Sequence, residues 1–422
     1  MTALVEQVWR QESPLVLAAL LRRHGDLADC EDAVQEAAAE ATVAWALRPP
    51  DDPRAWLVRV ASRRLIDRAR SDRARVAREE RFEPAPPASG TDDSLAMLVL
   101  CCHPALSRPA QVALTLRSVA GLSTGRIAAA HLVPTATMAQ RLSRARATLR
   151  AAGARFELPS VGELPGRVAV VLDVLHVMAT EAHVRTGGPD LLDTDLAAEA
   201  LRLVRMLHAA LPAHDEVSGL LALLLCTGAR AAARVDARGD LVPLVEQDRA
   251  RWDRAMIAEA VGLLEQVLPR GPVGPFQLQA AIAAVHAEAP SAQETDWAQI
   301  CALYAMLDEV APGPAVTLNR AVAVAMDAGP LAGLELLDPL LELPAMRRHH
   351  RTHAVRAHLL ELAGDPVAAA EAYRTASRLT TSLPEQRYLN RRLAELSRVR
   401  LTATAPAGRR TRARPTGSRP SP

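Results

Sequence analysis

The spacing of apolar and polar residues predicts helices along almost the whole chain. Apolar positions recur at helical intervals within residues 3–47, from near Ala55, from Asp93 to about Ala152, and again from Leu164 onward. Runs of β-branched residues long enough to form strands are nearly absent. The pattern therefore predicts an all-α fold.

Proline and glycine divide these helices into groups. Residues 48–54 contain three prolines and cannot continue a helix, because proline lacks the amide donor and restricts the residue before it. The Pro-rich residues 83–92 are typical of a semi-extended linker. After Leu164, Gly/Pro breaks recur near 187–190, 212–215, 238–243, 269–275, 312–314, 329–330, 344–349 and 364–366. This spacing predicts stacked helical hairpins, of which 352–379 is the clearest, without regular repeat lengths.

Residues 107–150 contain the helix start and stop signals that are typical of a helix-turn-helix. Ser107 is a candidate N-cap with Pro109 in the first turn, and Gly121 ends that helix. Ser123 or Thr124 starts a short second helix, residues 131–134 form a tight turn, and Thr135 caps a third helix.

The third helix has one apolar stripe and one polar face. Its stripe consists of Met138, Leu142, Ala145 and Leu149. The stripe leaves Gln140, Arg141, Ser143, Arg144 and Arg146 outside or at its edges. Amide and guanidinium groups on such a helix can read base edges in the major groove, where Arg pairs with guanine and Gln with adenine. A solvated Arg-rich helix within a bundle is the less favoured alternative.

The charge distribution agrees with a nucleic-acid-binding front end. The 422 residues have a net charge of only +2, but residues 107–155 contain 8 Arg and no acidic residue. Residues 48–81 contain 11 Arg against 6 acidic residues, whereas residues 156–397 contain 21 Arg against 31. Two basic blocks followed by an acidic body favour phosphate binding at the front and another task behind it.

The chain offers little that suggests catalysis, a metal or a cofactor. The five cysteines are odd in number and fit no zinc spacing. We interpret Cys101-Cys102-His103 as structural residues rather than as a metal site. We interpret His349, His350 and His353 as part of a solvated loop. Neither a phosphate-binding Gly-rich loop nor a nucleophile elbow occurs. No secretory signal is recognised, and the apolar run Leu220–Leu225 is too short to span a bilayer. We therefore expect no catalytic residue, metal or cofactor, no membrane partner, and a cytoplasmic location.

Several runs resemble extracytoplasmic-function (ECF) sigma factors of RNA polymerase. Residues 133–146 (VPTATMAQRLSRAR) look like their region 4, and 29–36 (DCEDAVQE) like their polymerase-binding helix in region 2. Residues 53–57 (PRAWL), with the arginines that follow, look like their −10 element helix. With 101–107 (CCHPALS), the chain resembles the ECF subgroup that has a long tetratricopeptide-like extension, over about residues 5 to 396.

The resemblance implies a domain order, partners and no catalysis. It implies a region 2 helical bundle (1–82), a linker (83–92) and a region 4 helix-turn-helix (93–155). A helical hairpin extension (156–400) and a disordered basic tail (401–422) would follow. The expected partners are core RNA polymerase, promoter DNA and possible protein partners of the extension. The extension's role stays open: it restrains the basic modules, recruits a partner, or is needed to hold polymerase.

The resemblance also implies functional residues. Polymerase would bind Asp32, Gln35 and Glu36. The −10 element would be held by Trp56, Arg59, Arg63, Arg64, Asp67 and Arg68, with a flipped base in the loop 47–54. The −35 element would be read by Thr135, Thr137, Gln140, Arg141, Ser143 and Arg144.

Simpler interpretations and departures from the family stand beside these roles. The acidic residues could be a solvated face, Trp56 is more often a core residue, and the arginines of its helix could lie on an ordinary surface. The chain has Arg63 where many ECF proteins have Asn, Ala139 at an often basic position, and an unusual stretch over 176–188. The alternative functions are a helix-turn-helix regulator that is not a sigma subunit, and an adaptor that works through its repeats.

Overall fold

A computed structural model describes residues 3–47, 50–75, 90–130, 133–160, 162–185 and 187–403. These residues are predominantly helical, which confirms the predicted all-α class. They form two compact units. The first unit contains the residues up to Val316 and also 381–384, and the second contains 317–380 and the residues from Glu385 onward.

The first three helices form a bundle. They are α1 (Ala3–His24), α2 (Leu27–Leu47) and α3 (Pro53–Arg75). Gly25 separates α1 from α2 with φ of 79°, a left-handed conformation that suits glycine. The Asp52 carboxylate accepts a hydrogen bond from the Ala55 amide at 2.9 Å, so α3 starts two residues before the predicted Ala55. Each helix of the bundle packs against the other two.

The next four helices contain the predicted helix-turn-helix. They are α4 (Gly90–Cys101), α5 (Arg108–Ser118), α6 (Thr124–Ala130) and α7 (Thr135–Ala151). Gly121, with φ of 66°, turns the chain after α5. Met138, Leu142, Ala145 and Leu149 are all buried, which confirms the predicted stripe of α7.

Two boundaries differ from the prediction. Pro134, not Thr135, is the N-cap of α7, because its backbone is extended and its carbonyl accepts the Met138 amide at 3.1 Å. The helix α4 begins at Gly90, three residues before the predicted start, and acidic residues in its first turn suit a helix N-terminus. Positions 83–89 of the predicted linker and 131–132 of the predicted turn lie outside the described residues.

Six further helices complete the first unit. They are α8 (Leu164–His183), α9 (Thr194–Ala210), α10 (Asp215–Gly228), α11 (Arg254–Val267), α12 (Pro275–Glu288) and α13 (Trp297–Val310). The predicted Gly/Pro breaks fall between them. Two-residue strands, β1 (Gly187–Gly188) and β2 (Thr381–Ser382), pair in parallel. The described chain between α10 and α11 contains three short 3₁₀ helices.

Helix α10 is the buried centre of this part of the first unit. The stretch Asp215–Ala233 is long and apolar enough to cross a membrane, with a mean hydropathy of 1.4, but 67% of it is buried inside the protein. Its Glu216 carboxylate accepts the amides of Phe276 and Gln277 at 3.0 and 3.1 Å, which ties α10 to the N-terminus of α12. Packing against neighbouring helices therefore accounts for its apolar character.

The second unit consists of helical hairpins. Its helices are α14 (Pro314–Ala328), α15 (Pro330–Leu337), α16 (Pro344–Arg347), α17 (His350–Leu362), α18 (Pro366–Leu379) and α19 (Leu383–Ala403). The hairpin α17–α18 confirms the one predicted over 352–379, and Gly364, with φ of 81°, forms its turn. Small residues allow close packing: a Cβ at Gly333 would lie 2.5 Å from the Ala321 carbonyl. The tail is predicted to be disordered from residue 401, but α19 continues to Ala403. The rest of the tail lies outside the described residues.

Candidate nucleic-acid interface

A basic groove lies along the exposed side of α3. We call it the α3 groove; its volume is about 830 Å³, and its charged lining residues are Arg23, Asp52, Arg54, Arg59, Arg63 and Asp67. Four arginines against two carboxylates make the groove attractive to a phosphate backbone. Val58 and Ile66 add apolar surface on which a base could pack. The structure thus brings Arg59, Arg63 and Asp67 together, and adds Arg23 of α1, which the sequence patterns did not indicate.

The other two arginines predicted to bind the −10 element are paired with carboxylates of α2. Arg64 donates to Glu40 at 3.0 Å, and Arg68 forms an ion pair with Glu36. The bond to Glu40 also raises the pKa of Arg64. Glu36 is itself predicted to bind polymerase, so residues assigned to two different partners contact each other. These pairs are largely exposed, and such pairs contribute little to stability.

Trp56 lies between the bundle core and its surface. Its ring meets the buried Trp45 edge to face, with centroids 5.5 Å apart and planes at 72°. Trp56 is half-buried and packs against the core, so part of the ring remains accessible. The geometry fits an anchored side chain with one free edge.

The polar face of α7 opens into a second groove. We call it the α7 groove; its volume is about 340 Å³, and it lies between α7 and the start of α5, lined on the α7 side by Thr137, Gln140, Arg141 and Arg144. Thr135 and Ser143 are exposed on the same helix. Among the residues that the structure describes, no carboxylate pairs with Arg141 or Arg144. Both guanidinium groups are therefore available to a ligand.

The acid-free segment 107–155 is less available to DNA than its composition indicates. Arg108 pairs with Asp173 at 2.6 Å, and Arg126 with Asp195 at 2.7 Å, both on the extension. The Arg117 guanidinium donates to the Leu122 carbonyl at 2.9 Å, and burial lowers its pKa. Four of the eight arginines of this segment form ion pairs within the chain: Arg108, Arg126, Arg146 and Arg150. Composition alone therefore does not show which arginines of this segment are available to a phosphate.

Arg146 and Arg150 contact the acidic side of α2. Arg146 donates to Glu31 at 2.9 Å, and Arg150 donates to both oxygens of Asp26, at 2.6 and 2.7 Å. The hydrogen bond from Arg150 holds the pKa of Asp26 below its usual value. Glu31 is buried, whereas Asp32, Gln35 and Glu36 are exposed. Sequence reasoning missed the burial of Glu31, since nothing in the acidic run distinguishes it from its neighbours.

The cysteines and histidines weighed as ligands form no cluster. Within the described ranges, no group of three His, Cys, Asp or Glu side chains is arranged to hold a metal ion. Burial raises the pKa of Cys102 to about 12 and raises that of Cys101 well above its usual value, so both thiols stay protonated. His353 contacts the Arg347 carbonyl at 2.8 Å.

A three-helix bundle with an arginine-rich groove along α3, followed by a helix-turn-helix whose groove contains Gln140, Arg141 and Arg144, defines a helical DNA-binding protein. Comparisons with known proteins agree. Residues 8–75 match the family described as Sigma-70 region 2, residues 96–149 match Sigma-70, region 4, and residues 167–268 match a family of unknown function, DUF6596. An uncharacterized protein of Rhizobium meliloti (strain 1021) is 39% identical over 402 residues, covering 91% of this chain and 94% of that protein.

The chain belongs to the sigma-70 family and is an ECF-type sigma factor with a C-terminal DUF6596 domain. It accordingly acts in transcription initiation and binds core RNA polymerase and promoter DNA. The sigma families that it matches are not families of enzymes.

Proposed function

We propose that the two matched regions hold the two elements of one promoter. In region 2, the −10 element lies in the α3 groove against Arg59, Arg63 and Asp67 and also contacts the accessible edge of Trp56. Arg64 and Arg68 exchange their carboxylate partners for phosphates. The net positive charge and apolar patches of the groove support this assignment. A base extruded from the stack is held near the loop before α3, of which residues 48–49 lie outside the described chain.

In region 4, we propose that α7 reads the −35 element in the major groove. Its base and phosphate contacts are Thr135, Thr137, Gln140, Arg141, Ser143 and Arg144. The observation that carries the proposal is the pair of guanidinium groups beside Gln140 in the α7 groove, with which no carboxylate of the described residues pairs. Arg and Gln are the side chains that make bidentate contacts to guanine and adenine.

Core polymerase is proposed to bind the exposed side chains of α2, which include Asp32, Gln35 and Glu36. Their exposure on one stretch of helix supports this role. The working domain ranges are 1–82, 83–92, 93–155, 156–400 and 401–422. Since the extension contacts region 4 through two ion pairs, we propose that it regulates the sigma activity by restraint, by recruiting a partner, or by helping to hold polymerase. The proposed location is the cytoplasm, where polymerase acts.

The test is run-off transcription with purified core polymerase and the full chain on genomic DNA, followed by mapping of start sites. Replacing Arg141 and Arg144 together by Ala removes two contacts, each worth about 1–3 kcal/mol, so initiation that depends on the −35 element falls by tenfold or more. Arg155→Ala is the matched control for each single variant, Arg141→Ala and Arg144→Ala, since it also removes one positive charge but does not line the α7 groove.

Two outcomes would reject parts of this proposal. Specific binding of duplex DNA by the chain alone, with no start sites added to core polymerase, would indicate a helix-turn-helix regulator. Unchanged initiation by the double variant would remove α7 as the reading helix and favour an adaptor that works through the extension.

A further inference from the structure

A buried carboxylate joins the polymerase-binding helix to the DNA-reading half of the protein. The Glu31 side chain of α2 is only 5% exposed. One of its oxygens accepts the Ser118 hydroxyl of α5 at 2.5 Å, and the other accepts the Arg146 guanidinium of α7 at 2.9 Å. A carboxylate in such a place is stable only while it keeps its partners. The hydrogen bonds of the buried Glu31 carboxylate therefore fix α7 beside α2.

A second ion pair repeats this connection one turn further along α7. The Arg150 guanidinium donates two parallel hydrogen bonds to the Asp26 carboxylate. This geometry fixes the relative orientation of the two groups as well as their distance. Asp32 lies 3.7 Å from Arg146, and Asp29 lies 3.8 Å from Arg150. Two arginines of α7 thus face four carboxylates of α2 and the turn before it.

Apolar packing closes the same interface. A cavity of only about 20 Å³, lined by Leu17 and Val34 of the bundle and by Arg117 and Ser118 of α5, separates the two parts. On another side, Arg22 of α1 forms an ion pair with Asp93 of α4. The two parts therefore also contact each other at these points, outside the ion pairs between α2 and α7.

This arrangement conflicts with binding to two separated promoter elements. Sites one turn of duplex apart lie about 34 Å from each other. The contacts of Arg146 and Arg150 hold region 2 and region 4 together at hydrogen-bond distance. They also place α7 beside Asp32, one of the residues proposed to bind polymerase. These hydrogen bonds, together with the Ser118–Glu31 hydrogen bond and the Arg22–Asp93 ion pair, have to break before the two regions can occupy separate elements.

We propose that Glu31 and Asp26, held by Arg146 and Arg150, form an intramolecular latch that keeps the free protein closed and is opened when polymerase takes the acidic side of α2. The α2–α7 latch rests on the proposed function and adds regulation to it. With the latch closed, Arg144 is exposed and the half-buried Arg141 still lines the open α7 groove. The latch therefore acts on the spacing of the two regions and on access to α2, and does not cover the face proposed to read DNA.

The experiment is a charge-swap cycle at the more exposed pair, in the full chain. The variants are Asp26→Arg, Arg150→Asp and the double swap, with Arg155→Asp as the matched control. Two quantities are measured for each: the radius of gyration of the free protein by small-angle X-ray scattering, and the Kd for core polymerase. Circular dichroism verifies the helical content of every variant.

Each single reversal sets like charges against each other, so we expect a larger radius of gyration and a Kd for polymerase lowered about tenfold. The double swap restores both quantities to the wild-type values, and Arg155→Asp changes neither. Arg146→Ala, which leaves Glu31 without its cation, is expected to have a larger effect in the same direction, provided that it keeps its helical content.

Folded single variants with an unchanged radius of gyration would overturn the latch. So would weaker polymerase binding that the double swap does not restore, because Asp26 and Arg150 would then belong to the polymerase surface. Failure of the wild-type chain to bind polymerase would reject the proposed function instead, and the radius of gyration would still decide whether the latch exists.

Discussion

At the scale of single residues, the arginines of region 4 divide into two kinds. Arg141 and Arg144 line the α7 groove, and no carboxylate in the described part of the chain pairs with them. Arg146 and Arg150, a few residues further along the same helix, pair with carboxylates of α2 and of the turn before it. A helix turns about 100° per residue, so neighbouring arginines face different surroundings. The face of α7 that is proposed to read DNA and the face that contacts α2 are therefore different faces of one helix.

The pKa of the Asp26 carboxyl depends on its ion pair with Arg150 of α7. Because Arg150 holds its pKa below the usual value of 3.8, we expect Arg150→Gln to raise the pKa of Asp26 toward that value, as measured by ¹³C-detected NMR titration. The pKa of Asp26 is lower in the folded protein than in the unfolded chain. Its ion pair with Arg150 therefore stabilises the fold fully above the unfolded-state pKa, and this stabilisation is lost as the pH falls through the folded-state pKa. Arg155→Gln should leave the titration of Asp26 unchanged; an equal shift there would point to a general charge effect.

At the scale of elements, close helix contacts depend on small residues that periodicity does not single out. Helix α10 packs against α12 at Gly219, where an added Cβ would lie 2.7 Å from the Gln277 amide nitrogen. The Glu216 carboxylate, less than one turn away, accepts the first amides of α12. One glycine and one acidic residue thus set the distance and the direction of this helix pair.

Gly219→Ala tests this contact. We expect overpacking to lower the free energy of unfolding by about 1–3 kcal/mol, as measured by urea denaturation. Gly262→Ala in α11 is the control: nothing lies within 4 Å of its added Cβ, so the change should be neutral or stabilise by about 0.4–1 kcal/mol. Equal effects of the two substitutions would show that α10 and α12 do not need the close approach.

At the scale of the whole molecule, helix α4 connects the sigma regions to the extension within the first unit. Its residues Leu95 to Cys101 are all buried. It packs against α1 and α5 on one side and against α8 and α9 on another. The extension is therefore part of the core that supports region 4, in addition to any regulatory role.

A chain cut after residue 155 should show this dependence. Removing α8 and α9 exposes the apolar side of α4 and leaves Arg108 and Arg126 without Asp173 and Asp195. We expect the fragment to melt at least about 5 °C below a chain cut after residue 316, and to bind a hydrophobic dye more strongly, as measured by calorimetry and fluorescence. Equal melting temperatures would mean that region 4 folds without the extension.

The sequence by itself determined the all-α class, the positions of most helix breaks, the buried stripe of α7 and the family. These features depend on local periodicity, on proline and glycine, and on short motifs, which are all properties of neighbouring residues. The residues proposed for DNA and polymerase were also chosen at this level, and their roles stay predictions.

Only the tertiary structure decided which charged groups face solvent and which face each other. The pairs Glu31–Arg146 and Asp26–Arg150 join residues more than a hundred positions apart, and Arg23 reaches the α3 groove from a different helix. Periodicity identifies the polar side of a helix but not the element that packs against that side. For this reason the sequence did not indicate that four arginines of the acid-free segment 107–155 are paired within the protein.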